Sequence, residues 1–215
     1  MNNELWLFDY NQAKLYENFS KCEDIENKIK KYFDKIYDFS NKKVLEIGAG
    51  SGKFTGFLAD RCKYLYAVEK INSLMEINQN KNKDKKNIEF ILSNAKDILL
   101  AERSIDYIFA GWSLTSMRDI FDDLFNKIDK VLKPNGKILI VENGGNDEFC
   151  ELLNIENFTQ QMINEYIKIG FKKKKILDTI IKFDQAETFY DAFPAYKDTE
   201  LKSLKLKHNV IIMER

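Results

Sequence analysis

Three glycines at the end of a short apolar segment are the residues best suited to ligand binding. Gly48, Gly50 and Gly52 follow the segment 44–47 and precede a helical pattern over 53–61. Glycine permits a tight turn and lets a ligand approach the backbone closely. In an open α/β sheet, ligands bind beyond the carboxyl ends of the strands, so this loop is a predicted ligand site. A glycine-rich turn without a ligand is the alternative, which the features below disfavour.

The spacing of these glycines departs from the motifs of two common nucleotide sites. A P-loop needs a glycine five residues before Gly52 and a serine or threonine after the lysine, but Ile47 and Phe54 stand there. A dinucleotide loop needs GxGxxG, and Lys53 occupies the place of its third glycine. The spacing here is GxGxG, which disfavours a pyrophosphate ligand.

An acidic residue closes the next apolar segment. Glu69 lies 21 residues after Gly48, about where a carboxylate binds ribose hydroxyls in nucleotide-binding α/β proteins. Its two acceptor oxygens match two vicinal hydroxyl groups. An exposed glutamate at a strand end is the simpler interpretation of Glu69 alone, but the preceding glycine loop favours ribose binding.

Alternating strands and helices are predicted to hold these residues. We predict strands at 43–47, 64–68, 88–92, 106–110 and 137–142, helices at 53–61, 72–79 and 117–132, and a helical turn at 96–101. Such alternation implies a parallel sheet with right-handed crossovers. Residues 1 to about 40 have the pattern of amphipathic helices. After residue 145 we predict a helix at 159–169, a long strand at 172–183, a short helix at 186–193 and a strand at 204–213, which suggests an antiparallel hairpin on the sheet edge.

Composition limits the class of protein. The chain has 215 residues, of which 44% are hydrophobic, enough for a substantial core. Lysine plus arginine and aspartate plus glutamate both number 34, and this balance argues against a nucleic-acid partner. Cys22, Cys62 and Cys150 lack the spacing of a metal site or disulfide framework. Without a signal-peptide pattern or a membrane-spanning apolar segment, we expect a soluble, cytoplasmic protein.

The predicted strands and the segments that follow them contain five motifs: VLEIGAGSGKFT (44–55), AVEK (67–70), LSNAKDI (92–98), SIDYIFAGWSL (104–114) and VLKPNGKILIVEN (131–143). Together they resemble the motifs of the class I S-adenosylmethionine-dependent methyltransferases, particularly the small-molecule group often called type 11. The resemblance implies an α/β fold with a Rossmann-like doubly wound sheet of about seven strands, mostly parallel with an antiparallel C-terminal strand, plus N-terminal helices. We predict a single domain over 1–215, with a helical cap at 1–41, a cofactor-binding core at 42–145 and a C-terminal helix and β-hairpin at 146–215.

The resemblance also implies which residues bind S-adenosylmethionine. Glu46 is expected to hold the methionine ammonium, directly or through water, and Glu69 the ribose hydroxyls. The remaining expected contacts are the backbone of Gly48, Ala49, Gly50 and Gly52, the adenine neighbours Lys70, Ile71, Asn94 and Ala95, and the methionine neighbours Ala110, Gly111 and Trp112. Asn94 departs from the aspartate usual in the family, although its amide oxygen still accepts a hydrogen bond. Trp112 is equally well interpreted as a core aromatic residue packed on the next helix.

The resemblance assigns no catalytic residue and no metal. The sulfonium donor is already activated, so the protein mainly has to align the reactants and exclude water. His208 is the single histidine, and a structural role on the last strand is favoured over a catalytic one. The AGWS sequence after the fourth strand lacks the Asn/Asp-Pro-Pro-aromatic segment of methyltransferases that act on DNA and protein amino groups. Tyr10 and Tyr16 are expected either to cover the cofactor or to pack in the core.

The sequence therefore predicts an enzyme that transfers a methyl group from S-adenosylmethionine to a small-molecule acceptor by in-line displacement. The alternatives are an NAD(P)-dependent oxidoreductase and a non-catalytic S-adenosylmethionine-binding protein. Lys53 at the third glycine position counts against the oxidoreductase. The glycine loop is not degenerate and the acidic residue Glu69 is present, so neither feature supports the non-catalytic alternative.

Overall fold

The computed structural model of the protein describes residues 10–215, which form one seven-stranded sheet. The strands are β1 (Lys43–Ile47), β2 (Tyr64–Glu69), β3 (Ile88–Leu92), β4 (Ile105–Gly111), β5 (Leu132–Asn143), β6 (Lys172–Lys182) and β7 (Lys205–Glu214), in the order β3-β2-β1-β4-β5-β7-β6. β1 to β5 pair in parallel, whereas β7 is antiparallel to both its neighbours. The prediction of about seven mostly parallel strands with an antiparallel last strand is confirmed.

Eight α-helices cover the sheet in the described part of the chain. They are α1 (Tyr10–Cys22), α2 (Lys28–Ile36), α3 (Thr55–Ala59), α4 (Asn72–Lys81), α5 (Phe121–Val131), α6 (Glu148–Leu152), α7 (Glu156–Lys168) and α8 (Glu187–Ala192). α2 and α3 pack on the sheet face that carries Val44, and α5 and α7 pack on the face that carries Leu45. Helices on both faces make the sheet doubly wound. Within residues 10–215, no helix combines the length and the apolar character needed to cross a bilayer.

β1 is the central strand of the fold, and its position determines where a ligand can bind. It pairs with β2 on one side and β4 on the other, so Leu45 lies opposite both Tyr66 and Ile108. Val44, Leu45 and Ile47 are fully buried, and each contributes about 1.5–3 kcal/mol of hydrophobic stabilisation. The chain turns from β1 toward β2 and later crosses back to β4. The carboxyl ends of β1 and β4 therefore form the switch point at which α/β sheets bind ligands.

The C-terminal hairpin forms one edge of the sheet. β7 lies between β5 and β6, and β6 is the outer strand. Lys172 to Lys175 are all exposed on this edge, with a register shift between Lys173 and Lys175. Exposed lysines and an irregular register both discourage edge-to-edge aggregation. The expected edge hairpin is thus present.

Two predicted boundaries differ from the structure around the fourth and fifth strands. The expected helix over 117–132 is divided into a 3₁₀-helix, Leu114–Ile120, and α5. The fifth strand begins at Leu132 and not at Lys137, because Leu132 already pairs with Ile105. The register shifts in the stretch that contains Pro134, which has no backbone N–H to donate. A short irregular segment is therefore part of β5.

Candidate active site

The glycine loop bends over the carboxyl end of β1 toward β2. The Ala49 N–H donates to the Val68 carbonyl at 2.9 Å, and the Gly52 N–H donates to the Ala49 carbonyl at 3.0 Å. Gly48 has a φ of +67°, and an added Cβ there would overlap Ser113 in the loop after β4. Because the two loops are in direct contact, only glycine suits this position without strain.

Glu69 joins the loop to the end of β2. Its Oε2 accepts a 2.9 Å hydrogen bond from the Gly50 N–H, while Oε1 accepts 2.9 Å bonds from the Lys70 and Ile71 N–H groups. The residue is only 7% exposed, and burial raises the pKa of its carboxyl group even though these three N–H groups oppose the rise. The structure therefore brings Glu69 and Gly50 into one site, at the edge of the sheet where the sequence places them.

Glu46 lies beneath the glycine loop and is 2% exposed. Its Oε2 accepts a 2.7 Å hydrogen bond from the Thr55 hydroxyl, which in turn accepts one of 2.9 Å from the Asn78 amide. Burial raises the pKa of the Glu46 carboxyl group to about 8. A buried carboxyl group that is largely neutral at pH 7 is stabilised in its charged form by a nearby cation.

Asn94 and Ala95 begin a 3₁₀-helix, Ala95–Asp97, directly after β3. The Asn94 side-chain oxygen accepts a 3.2 Å hydrogen bond from the Lys96 N–H and so caps this turn. The preceding Ser93 N–H donates to the Glu69 carbonyl at 2.9 Å, which holds the turn beside the acidic residue. Ala95 is buried, whereas Lys70 on the other side of Glu69 is exposed.

The segment after β4 lies on the opposite side of the glycine loop. Ala110 and Gly111 end the strand, and the Ser113 hydroxyl donates to the Ile47 carbonyl at 2.7 Å. Trp112 stacks on Phe54, near the start of α3, with ring centroids 5.8 Å apart. The Trp112 ring packs in the aromatic core on the α2 and α3 face of the sheet, while its backbone stays next to the loop.

His208 packs against the other side of this aromatic group and is fully buried. Its ring stacks on Trp112 with centroids 6.1 Å apart, and its Nε2 lies 3.0 Å from the Asn143 side-chain oxygen. Burial, assisted by the charge of Lys53, lowers the pKa of His208 to about 3. The ring is therefore neutral at physiological pH.

Helix α1 covers the glycine loop through polar contacts that the sequence did not predict. Glu17 is 6% exposed and accepts hydrogen bonds from the Ser51 hydroxyl at 2.5 Å and from the Lys81 ammonium at 2.9 Å. Lys53 donates to the Ser20 carbonyl and pairs with Glu23 at 3.1 Å. The amphipathic pattern of α1 predicted a buried face but gave no signal for these partners.

The two tyrosines of the predicted cap differ in what the structure describes. Tyr16 packs against the hydrophobic clusters of α1, α4 and the C-terminal region, and burial together with carboxylates led by Glu23 raises its pKa. α1 begins at Tyr10, whose side chain lies outside the described residues. A covering role for Tyr10 and Tyr16 stays a prediction.

Glu142 at the carboxyl end of β5 is a further buried acid, which the sequence patterns did not single out. Its carboxyl oxygens accept hydrogen bonds from the Thr115 N–H at 3.3 Å, the Thr115 hydroxyl at 3.2 Å and the Tyr166 hydroxyl at 3.1 Å. Burial raises its pKa to about 7. An acid directly after an apolar strand was the signal, as it was for Glu69. Because it binds the first turn of the helix after β4, Glu142 orients the segment that touches the glycine loop.

The chain is similar in sequence to several known methyltransferases. Residues 45–140 match the family described as methyltransferase domain. Phosphoethanolamine N-methyltransferase 1 of Triticum aestivum is 36% identical over 109 residues, which cover 49% of this chain and 22% of the wheat protein. Ribosomal RNA small subunit methyltransferase A of Mesomycoplasma hyopneumoniae is 29% identical over 192 residues, covering 80% of this chain and 68% of that protein.

A solved structure matches over nearly the whole chain. The SAM-dependent methyltransferase of Aquifex aeolicus superposes with a TM-score of 0.65 at 15% identity, covering 96% of this chain and 98% of that one. This likeness establishes the fold. The part matched to the wheat proteins spans about a fifth of the length of these proteins. The chain therefore has the fold of the S-adenosylmethionine-dependent methyltransferases, and residues 45–140 within it match a methyltransferase domain.

Proposed function

We propose that this protein transfers a methyl group from S-adenosylmethionine to a small-molecule acceptor. The hydrogen bond between Gly50 and Glu69 is the observation that carries the proposal, because it joins the glycine loop and the acid after β2 in one site. A backbone turn beside a carboxylate is what a nucleoside without a pyrophosphate requires.

The proposed cofactor contacts keep their sequence-based assignment. The backbone of Gly48, Ala49, Gly50 and Gly52 lines the methionine and ribose, and Glu69 binds the ribose hydroxyls. Lys70, Ile71, Asn94 and Ala95 border the adenine, and Ala110, Gly111 and Trp112 border the methionine. Glu46 suits the ammonium group because its buried carboxyl group accepts a hydrogen bond from a hydroxyl and because a nearby cation stabilises its ionised form.

For methyl transfer, the protein has to orient two reactants and exclude water. Bound S-adenosylmethionine supplies a methyl group already activated on a positively charged sulfur. Glu46 and Glu69 balance the positive charge of the bound cofactor. Helix α1 shields the glycine loop from solvent through the contacts of Glu17 and Lys53. The segment after β4, held by Glu142, sets the side from which the acceptor approaches. No acid or base among these residues is assigned to the chemical step.

A small molecule is the acceptor class that we propose, with neither nucleic acid nor a membrane as partner. The formal net charge of zero supports this choice, since binding to nucleic acid rests on lysine and arginine contacts with phosphates. The names of the relatives point to two further acceptors to be tested, phosphoethanolamine and ribosomal RNA. We also propose a cytoplasmic location.

Thermal unfolding with candidate cofactors tests this function. S-adenosylhomocysteine at a hundred times its dissociation constant is expected to add about 2.7 kcal/mol to the free energy of unfolding, which raises the Tm of a chain of this length by about 5–10 °C. NAD serves as the matched control and is expected to cause no shift. A shift with NAD alone would refute the proposal. A radiolabelled methyl-transfer assay with small hydroxyl and amine compounds, phosphoethanolamine and a ribosomal RNA fragment then identifies the acceptor class.

A further inference from the structure

A stack of aromatic rings connects the glycine loop with the C-terminal hairpin. Phe54, Trp112 and His208 stack in sequence, with interplanar angles of 28° and 22°. Phe149 meets the His208 ring edge-on at a centroid distance of 4.9 Å. β5 and β7 pair up to Asn143 and Val210, so His208 lies beyond the carboxyl end of β5. The stack thus lies at the sheet end where we place the reactants.

Two nitrogen atoms in this stack have no hydrogen-bond partner among residues 10–215. Trp112 Nε1 and His208 Nδ1 are both buried and unpaired in the part of the chain that the structure describes. Buried polar atoms in folded proteins are almost always paired, so two such atoms in adjacent rings point to a partner that residues 10–215 do not supply, such as a bound ligand. Trp112 also has a φ of +51°, an uncommon conformation for a bulky residue that is concentrated at ligand sites.

The two nitrogens differ in hydrogen-bonding character. His208 Nε2 faces the side-chain oxygen of Asn143 at 3.0 Å and therefore carries the ring proton, which leaves a lone pair on Nδ1. Trp112 Nε1 is a donor only. A hydroxyl group satisfies both atoms, since it accepts from one and donates to the other. A carboxylate has no proton to donate to Nδ1, and an ammonium has no lone pair for the indole N–H.

The surroundings of the stack favour a neutral ligand. Burial keeps the His208 ring uncharged by lowering its pKa to about 3. Lys53 lies 5.4 Å above the Trp112 ring, but its charge is paired with Glu23 at 3.1 Å. The nearby Phe149 side chain adds apolar surface. The chemical character of these neighbours matches an apolar, ring-bearing skeleton with a hydroxyl group.

We propose that Trp112 Nε1 and His208 Nδ1 together bind a hydroxyl group of the methyl acceptor, and that this acceptor is a neutral, phenol-like compound. That the bound compound is a methyl acceptor rests on the proposed methyl transfer. The hydroxyl subsite itself does not depend on that function. The Ser113 bond to the Ile47 carbonyl holds this segment against the glycine loop, so the subsite adjoins the proposed cofactor site.

Nitrogen NMR of the full chain tests the subsite directly. His208 is the single histidine of the sequence, and Trp6 and Trp112 are its two tryptophans, so a Trp6→Phe variant assigns the indole signal. Phenol is the probe and toluene is its matched control without a hydroxyl group. With S-adenosylhomocysteine present, phenol is expected to shift both the His208 Nδ1 and the Trp112 Nε1 signals until binding is saturated. Toluene is not expected to produce these shifts.

A substitution at His208 separates its two nitrogens. The amide nitrogen of His208→Gln can still donate to Asn143, but no atom replaces Nδ1. Phenol affinity is expected to fall about five- to tenfold, the value of one hydrogen bond, while affinity for S-adenosylhomocysteine stays unchanged. If this variant does not fold, the phenol and toluene spectra of the wild-type chain still test the hydroxyl subsite.

Three outcomes would overturn the subsite. They are a Nδ1 signal in the unliganded protein that is already hydrogen bonded, identical shifts with phenol and toluene, and an unchanged phenol affinity in His208→Gln. The Gly50 amide reports cofactor binding in the same spectra. Loss of a cofactor response there, with the phenol shifts intact, would contradict the proposed function and leave the hydroxyl subsite standing.

Discussion

Binding of S-adenosylhomocysteine is expected to release a proton from Glu46. The Glu46 carboxyl group is 2% exposed and accepts a hydrogen bond from Thr55. Burial raises its pKa to about 8, Glu69 adds to the rise and Lys81 opposes it. Cys62 is a further titratable neighbour, and the charge of Glu46 helps to raise its thiol pKa. An ammonium group placed beside Glu46 adds a positive charge and favours the ionised carboxylate.

The size of the effect follows from the pKa. With a pKa of about 8, the carboxyl group is about 0.9 protonated at pH 7 in the unliganded protein. A cation within a few ångströms lowers such a pKa by about 1–3 units, so binding releases about 0.4–0.9 protons at pH 7. At pH 9 the unliganded Glu46 is already ionised, and the release falls to about 0.1 protons.

Titration calorimetry in buffers of different ionisation enthalpy measures this release. The slope of the observed binding enthalpy against buffer enthalpy gives the number of protons. 5′-Methylthioadenosine is the matched ligand, because it has the nucleoside but no ammonium group, and it is expected to release none. Glu46→Gln keeps an acceptor for the Thr55 hydroxyl, and this variant is expected to release none with either ligand.

Two results would refute this interpretation of Glu46. The first is tight binding of S-adenosylhomocysteine to the wild-type protein at pH 7 with no proton released. The second is equal release from the wild-type protein and from Glu46→Gln, which would assign the proton to another group. Either result leaves cofactor binding itself intact, so the charge state of Glu46 is tested separately from the proposed function.

Further predictions concern the glycine loop and Glu142. Glu69→Ala is expected to weaken binding of S-adenosylhomocysteine by about 1–3 kcal/mol, and an unchanged calorimetric affinity would show that the ribose contact is misplaced. Gly52→Ala is expected to lower the Tm more than Gly50→Ala, because a Cβ at Gly52 would overlap the Asn78 side chain whereas the space at Gly50 is open; equal losses would contradict this packing. Glu142 has a pKa raised to about 7, so the stability it provides is fully present below its unfolded pKa and is lost as pH rises through 7. That loss is about 3 kcal/mol in all. Urea unfolding of Glu142→Gln should show a weaker decline between pH 5 and 8, and an identical decline would assign the effect elsewhere.

Local patterns in the sequence were sufficient to predict the strands and the glycine loop. The apolar run before Gly48 predicted a buried strand, and β1 is that strand. The acid at the end of the next run predicted the meeting of Glu69 with the loop, and Gly50 does donate to it. These inferences succeed because neighbouring parallel strands end at the same edge of a sheet, so two local signals imply one spatial site.

Contacts between distant segments carried no such signal. The stacking of Trp112 on His208 joins the segment after β4 to β7 and depends on β7 entering the sheet between β5 and β6. The hydrogen bonds of Glu142 to Thr115 and Tyr166 likewise depend on how α7 packs on the sheet. A periodic pattern fixes which face of an element is buried, whereas the partner across the interface is fixed by topology.

The cover formed by α1 shows why such contacts matter for function. Glu17 reaches Ser51 inside the glycine loop and Lys81 on α4, so one buried carboxylate ties the helix to both sides of the proposed cofactor site. Lys53, which occupies the third glycine position of a dinucleotide loop, instead binds the end of α1 through Ser20 and Glu23. The residue that disfavours a pyrophosphate therefore has a structural use here.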